Sequence, residues 1–145
     1  MEKEQKAMGF DCEQLAVLLS YPRPEQPWGD FGAEHGLSLE QLQELYVQTF
    51  DWNPATCLEI GWHLYGEQYD RGEFLVKMRQ ELRRHGLEES AELPDHLSHA
   101  LRLAARMEPG EAEEFREKFV RPAVEKILPA LNGNPYQRLL REAIQ

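Results

Sequence analysis

The 145-residue sequence predicts an all-α fold, a single-domain bundle of six to seven helices. Three observations carry that reading. Apolar residues recur at steps of three and four along most of the chain, the spacing that lines one face of a helix. Proline and glycine interrupt these stretches where helices would end. No segment alternates apolar and polar residues long enough to make a strand, and no internal repeat appears. The domain is expected to span residues 1–145, with residues 1–9 as a flexible start.

The elements follow in order. Phe10 to Ser20 carries Leu15, Leu18 and Leu19 at helical spacing and stops at "YPRPEQPWG", where three prolines forbid continuation. Residues 21–37 form a turn-rich connection ordered by Tyr21, Trp28 and Phe31. Ser38 with Gln41 is a capping-box start, and Leu39, Leu42, Leu45, Tyr46, Thr49 and Phe50 then make one apolar stripe. Asn53 as N-cap and Pro54 at the first helical position open the next helix, with Leu58, Trp62 and Tyr65 on one face. Gly66 breaks the chain before a long helix that turns Leu75, Met78 and Leu82 inward, can pair Glu73 with Lys77 and ends at Gly86. Residues 87–92 form an acidic loop, and Pro94 opens a helix burying Leu97, Leu101 and Ala104. After "MEPG", Glu111, Glu113 and Glu114 crowd a helix start, where the macrodipole favours negative charge. Phe115 and Phe119 supply its apolar side until Pro122 kinks or ends it, and Val124, Ile127, Leu128 and Leu131 continue that face. Asn134–Pro135 starts a short last helix.

Charge excludes one class of partner. A formal net charge of −10 repels a phosphate backbone, and no basic stripe offsets it, so nucleic-acid binding is not expected. No run reaches the roughly 18 apolar residues of a membrane span. The opening "MEKEQKAMGFDCEQL" lacks the apolar core of a signal peptide. Cys12 and Cys57 stand far apart and outside any CxxC pair, which argues for two reduced thiols in a cytoplasmic protein.

The stretch richest in chemistry is "ELPDHLSHA", residues 92–100. Asp95, His96 and His99 are candidate ligands of a metal-dependent hydrolase, with His63 or Glu92 needed to complete the set; the i,i+3 histidine spacing departs from the HExxH pattern. No metal is expected. The local alternative is an ordinary helix start, with Pro94 in the first turn, Asp95 at the positive end, and His96 and His99 solvated. Neither cysteine has a local histidine partner, and no GxSxG elbow or glycine-rich phosphate loop appears, so no enzyme activity is expected. A generic helical adaptor remains open.

Four stretches in sequence, "LAVLLSYPRPE" (15–25), "LYVQTFDWNP" (45–54), "HLYGEQYDRG" (63–72) and "ELPDHLSHA", set a further expectation. Their order and spacing resemble the NarJ branch of the TorD-like chaperones, the nitrate reductase delta-subunit or molybdenum-cofactor assembly chaperones. The resemblance runs from about residue 12 to residue 130, and "ELPDHL" is its specific part. It implies an all-helical, non-catalytic cytoplasmic protein. Such a chaperone binds the N-terminal segment of a molybdenum-containing oxidoreductase catalytic subunit and assists cofactor insertion. The molybdenum cofactor belongs to the client, and the chaperone itself is a monomer or weak homodimer. By resemblance, Asp95 and His96 match the family's Pro-Asp-His motif beside the peptide groove, and Glu92 and Pro94 belong to the same motif. Tyr46, Phe50, Trp62 and Tyr65 are the aromatics best placed to line that groove, with at least two of them expected to pack in the core instead. Ser98 departs from the pattern, since proline often follows the leucine in the NarJ type.

Overall fold

Local capping decides where the first helices begin. Asp11 and Gln14 form a reciprocal capping box that starts α1 (Cys12–Leu18), and Ser38 with Gln41 does the same for α3 (Leu39–Tyr46). The computed structural model describes residues 10–26 and 29–145. Between α1 and α3 the connection contains a short helix, α2 (Gly29–Glu34), which the turn-rich composition of residues 21–37 concealed. Phe31 is buried there as expected, Tyr21 stacks edge-on against Tyr46, and Trp28 and residues 1–9 lie outside the described residues.

The chain then departs from the expected course. Asn53 does fold a turn, its Oδ1 accepting the Ala55 amide at 3.0 Å, but no helix follows from Pro54. Helix α4 (Ile60–Tyr65) begins six residues later and ends at Gly66, whose φ of 65° suits a residue without a Cβ. Helix α5 (Tyr69–Arg84) buries Phe74, Met78 and Leu82; Phe74 takes the inward position expected of Leu75, which is half-buried. Its end is a Schellman turn at Gly86, where the Leu87 amide donates to the Leu82 carbonyl at 2.8 Å. The expected Glu73–Lys77 pair is not among the ion pairs of the described residues.

Pro94 does not open a helix. It sits in a turn, and α6 (Leu97–Arg106) starts three residues on, capped by the side chain of His96. Seven of the ten α6 residues are buried, so this helix is the axis of the bundle. Helix α1 packs along it, α7 (Pro109–Phe115) follows it, and α9 (Gln137–Ala143) closes over α1. Pro122 does not end its helix. A π-helical turn over Arg116–Val120 carries α7 into α8 (Arg121–Ile127), so the proline falls in the first turn of α8, where a missing N–H costs little. A second π-helical turn, Val47–Asp51, extends α3. Counted as continuous rods, the described residues hold eight helical segments, and the all-α class stands; α2 is the one the sequence did not announce.

Candidate functional site

The four motif stretches are far apart in sequence and meet in one place. Tyr46 Oη, from "LYVQTF", donates to the Leu19 carbonyl of "LAVLLSYP" at 2.9 Å and lies 3.4 Å from His96 Nε2 of "PDH". Asp95 Oδ2 accepts from the Gly61 amide at 3.1 Å and from Arg71 Nε, of "YDRG", at 3.3 Å. The backbones of Glu59 and His96 form an antiparallel bridge, with Ile60 N donating to Asp95 O at 2.9 Å and Leu97 N to Leu58 O at 2.7 Å. Asp95 therefore caps α4, a helix 34 residues away by its Gly61 contact, and not the helix its own segment leads into. That is the reason α4 starts where it does: its own N-cap residue, Glu59, makes no capping bond.

Burial overturns the solvated reading of "DHLSH". Asp95 and His99 are 0% exposed and His96 is 2% exposed. His99 donates from Nδ1 to the Leu93 carbonyl at 2.8 Å and accepts the Ser90 amide at Nε2, 3.0 Å. Its burial holds its pKa below the usual histidine value, so it is neutral at pH 7. His96 is desolvated further, to a pKa of about 3. Its Nδ1 lies 2.7 Å from Ser98 Oγ and accepts the Ser98 amide at 3.2 Å. Asp95 carries a buried charge opposite Arg71, and its Oδ1 has no protein partner among the described residues.

The hydrolase trio does not assemble. Asp95 is committed to Gly61 and Arg71, and His99 to Leu93 and Ser90, so neither turns toward His96 as a ligand. A different set does converge: Glu59, Glu92 and His96 bring one ligand atom each within 4.8 Å of one another. Glu59 was not legible as a site residue, because only the long-range bridge to His96 carries it there.

The eight residues expected at a peptide groove do not share one surface. Tyr46 and Phe50 pack in the core, stacked with Tyr136 at 5.9 and 4.9 Å between ring centroids, the place expected for at least two of the four aromatics. Phe50 keeps only an edge at an open pocket of about 390 Å³, whose other walls include Asp51, Trp52, Pro54, Glu59 and Trp62. Trp62 donates from Nε1 to the Pro54 carbonyl at 3.1 Å and so holds the loop that forms the far wall. Pro94 and Asp95 are buried behind this surface, and Glu92 is half-buried beside Glu59. Tyr65, at the other end of α4, packs on Phe74 and faces a separate groove with Asp70, Glu73 and Phe119. Trp52, 70% exposed at the pocket, was missed: its neighbours "DWNP" read as a helix start.

The pocket is acidic. Burial raises the carboxyl pKa of Asp51, Glu59 and Glu92 above the ordinary range, with the Asp95 charge adding to the rise at Glu59 and the Asp51 charge at Glu92. No lysine or arginine lines it, and among the described residues neither Asp51 nor Glu59 joins an ion pair.

The described residues form a helical bundle in which four distant motifs meet beside an open aromatic and acidic pocket. The family model for the nitrate reductase delta subunit matches residues 3–136, and the chain belongs to that family. It is 37% identical over 103 residues to the nitrate reductase molybdenum cofactor assembly chaperone NarJ of Escherichia coli K12, an overlap of 70% of this chain and 42% of that protein. It is 34% identical over 129 residues to a probable chaperone of the same description from Bacillus subtilis strain 168, covering 73% and 70% of the two chains. The chain thus spans less than half the length of the E. coli relative.

Proposed function

We propose that this chain is an assembly chaperone for a molybdenum-containing oxidoreductase, nitrate reductase or a relative of it. It binds the N-terminal segment of the catalytic subunit while the cofactor is inserted, and it performs no catalysis of its own. Family membership and the names of the relatives support the role. The observation that carries the binding reading is the open pocket beside the motif junction, with two tryptophans, three nearby carboxylates and no basic side chain lining it. An amphipathic segment with basic residues complements that surface: its apolar side chains cover indole, and its charges meet a net −10 molecule. The cytoplasm, where a client precursor is met before docking or export, is the compartment this role requires, and a monomer or weak dimer suffices.

Calorimetry with a synthetic N-terminal peptide of a nitrate reductase catalytic subunit tests the proposal. Trp52→Ala removes an exposed side chain and should leave melting unchanged while weakening the peptide by about tenfold or more, some 1.4 kcal/mol. Absence of binding to the unaltered protein, or an affinity unchanged from it in both Trp52→Ala and Trp62→Ala, would refute it.

A further inference from the structure

We propose that Glu59, Glu92 and His96 form a divalent-cation site, independent of the client. The ligand atoms are one carboxylate oxygen from each glutamate and Nε2 of His96, all within 4.8 Å of one another. Two of the three ligands are fixed in place by backbone, since Glu59 and His96 are the bridged pair that joins the start of α4 to the start of α6. The third, Glu92, precedes His96 by one helical turn's spacing, with its Oε2 already 3.7 Å from Nε2.

His96 can become a ligand by a shift of one proton. Its Nδ1 accepts the Ser98 amide at 3.2 Å, so the neutral ring carries its proton on Nε2; metal binding at Nε2 moves that proton to Nδ1, where Ser98 Oγ, 2.7 Å away, accepts it. The Tyr46 hydroxyl is 3.4 Å from Nε2, but it donates its one proton to the Leu19 carbonyl, so it does not compete for the Nε2 lone pair. His96 is buried, and Nε2 faces the two carboxylates.

Charge supplies the reason for a cation. Among the described residues no lysine or arginine pairs with Glu59 or Glu92; the nearest basic group of the junction, Arg71, is committed to Asp95. Two half-buried carboxylates side by side repel each other, and a bound dication removes that repulsion. Zinc bonds of about 2.1 Å to nitrogen and oxygen put tetrahedral ligand atoms roughly 3.4 Å apart. Closing the site from its present span needs about 1 Å of movement, within reach of rotations of the two glutamate side chains. Three protein ligands leave at least one position for water, and Glu59 lines the open pocket from which it would enter. One imidazole with two carboxylates suits zinc or cobalt(II), with calcium and magnesium disfavoured by the nitrogen ligand.

The 145-residue chain, stripped of metal and titrated with zinc chloride by calorimetry and with cobalt(II) by visible absorption, provides the test without any client. One equivalent should bind, and Glu92→Gln and Glu59→Gln should each weaken it at least tenfold while the far-ultraviolet circular dichroism stays unchanged. Cys57→Ser should bind as the unaltered chain does, because Cys57 Sγ and His63 Nε2, 3.6 Å apart, are the competing soft pair nearby. Absence of stoichiometric binding overturns the proposal. So does binding that survives both glutamine variants, or binding that is lost in Cys57→Ser. A peptide that fails to bind would sink the chaperone reading and leave this one standing.

Discussion

Gly61→Ala is the sharpest probe of the motif junction. A Cβ at residue 61 would lie 2.4 Å from Asp95 Oδ2 and 2.9 Å from Phe74 Cδ2. Neither neighbour can retreat. Asp95 is fully buried, its carbonyl takes the Ile60 amide at 2.9 Å and its Oδ2 takes Arg71 at 3.3 Å. The Phe74 ring is packed between Tyr65 and Phe119, at 5.5 and 5.2 Å. Overpacking of this kind costs about 1–3 kcal/mol, and loss of the Gly61 N–H···Asp95 bond adds about 1.5–3 because the acceptor is charged. The better helix propensity of alanine returns at most about 1 kcal/mol. A net loss of about 3 kcal/mol should lower Tm by roughly 6–12 °C in a chain of this size. Urea unfolding should show a lower midpoint at constant m. The cycle with Asp95→Ala isolates the clash: that substitution alone leaves Arg71 without its partner and costs about 3 kcal/mol or more, but it also clears the space the new methyl needs. The double variant should therefore be more stable than the sum of the singles by at least about 1 kcal/mol. A Gly61→Ala protein within about 0.5 kcal/mol of the parent, or strictly additive losses, would refute the geometry.

Two further outcomes follow from burial. His99 is held below its unfolded pKa of about 6.5 by burial, so the native state binds fewer protons than the unfolded one as pH falls. Its stabilising share is present above that pKa and is lost on acidification, at up to about 1.4 kcal/mol per pH unit until the folded pKa is reached; Glu59 and Glu92, raised by burial, act in the opposite sense but at more acid pH. Urea melts between pH 8 and pH 5.5 should show a shallower slope for His99→Gln, and an unchanged slope would count against the Ser90–His99–Leu93 arrangement. Burial also pushes the Cys57 thiol up to about 11, so its thiolate is roughly one part in a thousand at pH 8. Iodoacetamide should modify Cys57 on the order of a hundredfold more slowly in the native protein than in urea, as read by mass spectrometry, and equal rates would mean the thiol is not enclosed.

What was legible in the sequence was whatever a few neighbouring residues decide. The Ser38–Gln41 box, the Gly86 stop and the inward Met78 and Leu82 are local facts of propensity and period, and they stand. The start of α4 was not legible, because its cap is supplied by Asp95 from across the fold while Asn53–Pro54 offers a local pattern that makes only a turn. The same distance explains the site. "PDH" was found by its motif, but its burial, and the placing of Glu59 beside it, depend on pairing between two segments with no common signal. That at least two of Tyr46, Phe50, Trp62 and Tyr65 would be core was legible, but not which two, since helical spacing says which face they share and nothing of what covers that face. Pro122 read as a kink or an end, and it is not an end, because a π-helical turn ahead of it, which leaves no trace in an apolar period, carries the helix into α8.

The junction of the four motifs also has a bearing on biosynthesis. Its hydrogen bonds join Leu19 to Tyr46, Tyr46 to His96, and Asp95 to Gly61 and Arg71, so all but the Leu19–Tyr46 link wait until the segment carrying Asp95 and His96 has left the ribosome. Helix α6, the axis on which α1 packs, emerges later still. Contacts of such long sequence separation form late, after the loop entropy between them has been overcome. A nascent chain therefore carries its first helices before it has the junction, and gains the junction only once the segment through His96 is free to fold. Under the chaperone role proposed above, that ordering would keep half-made copies from competing with finished ones for the same client segment.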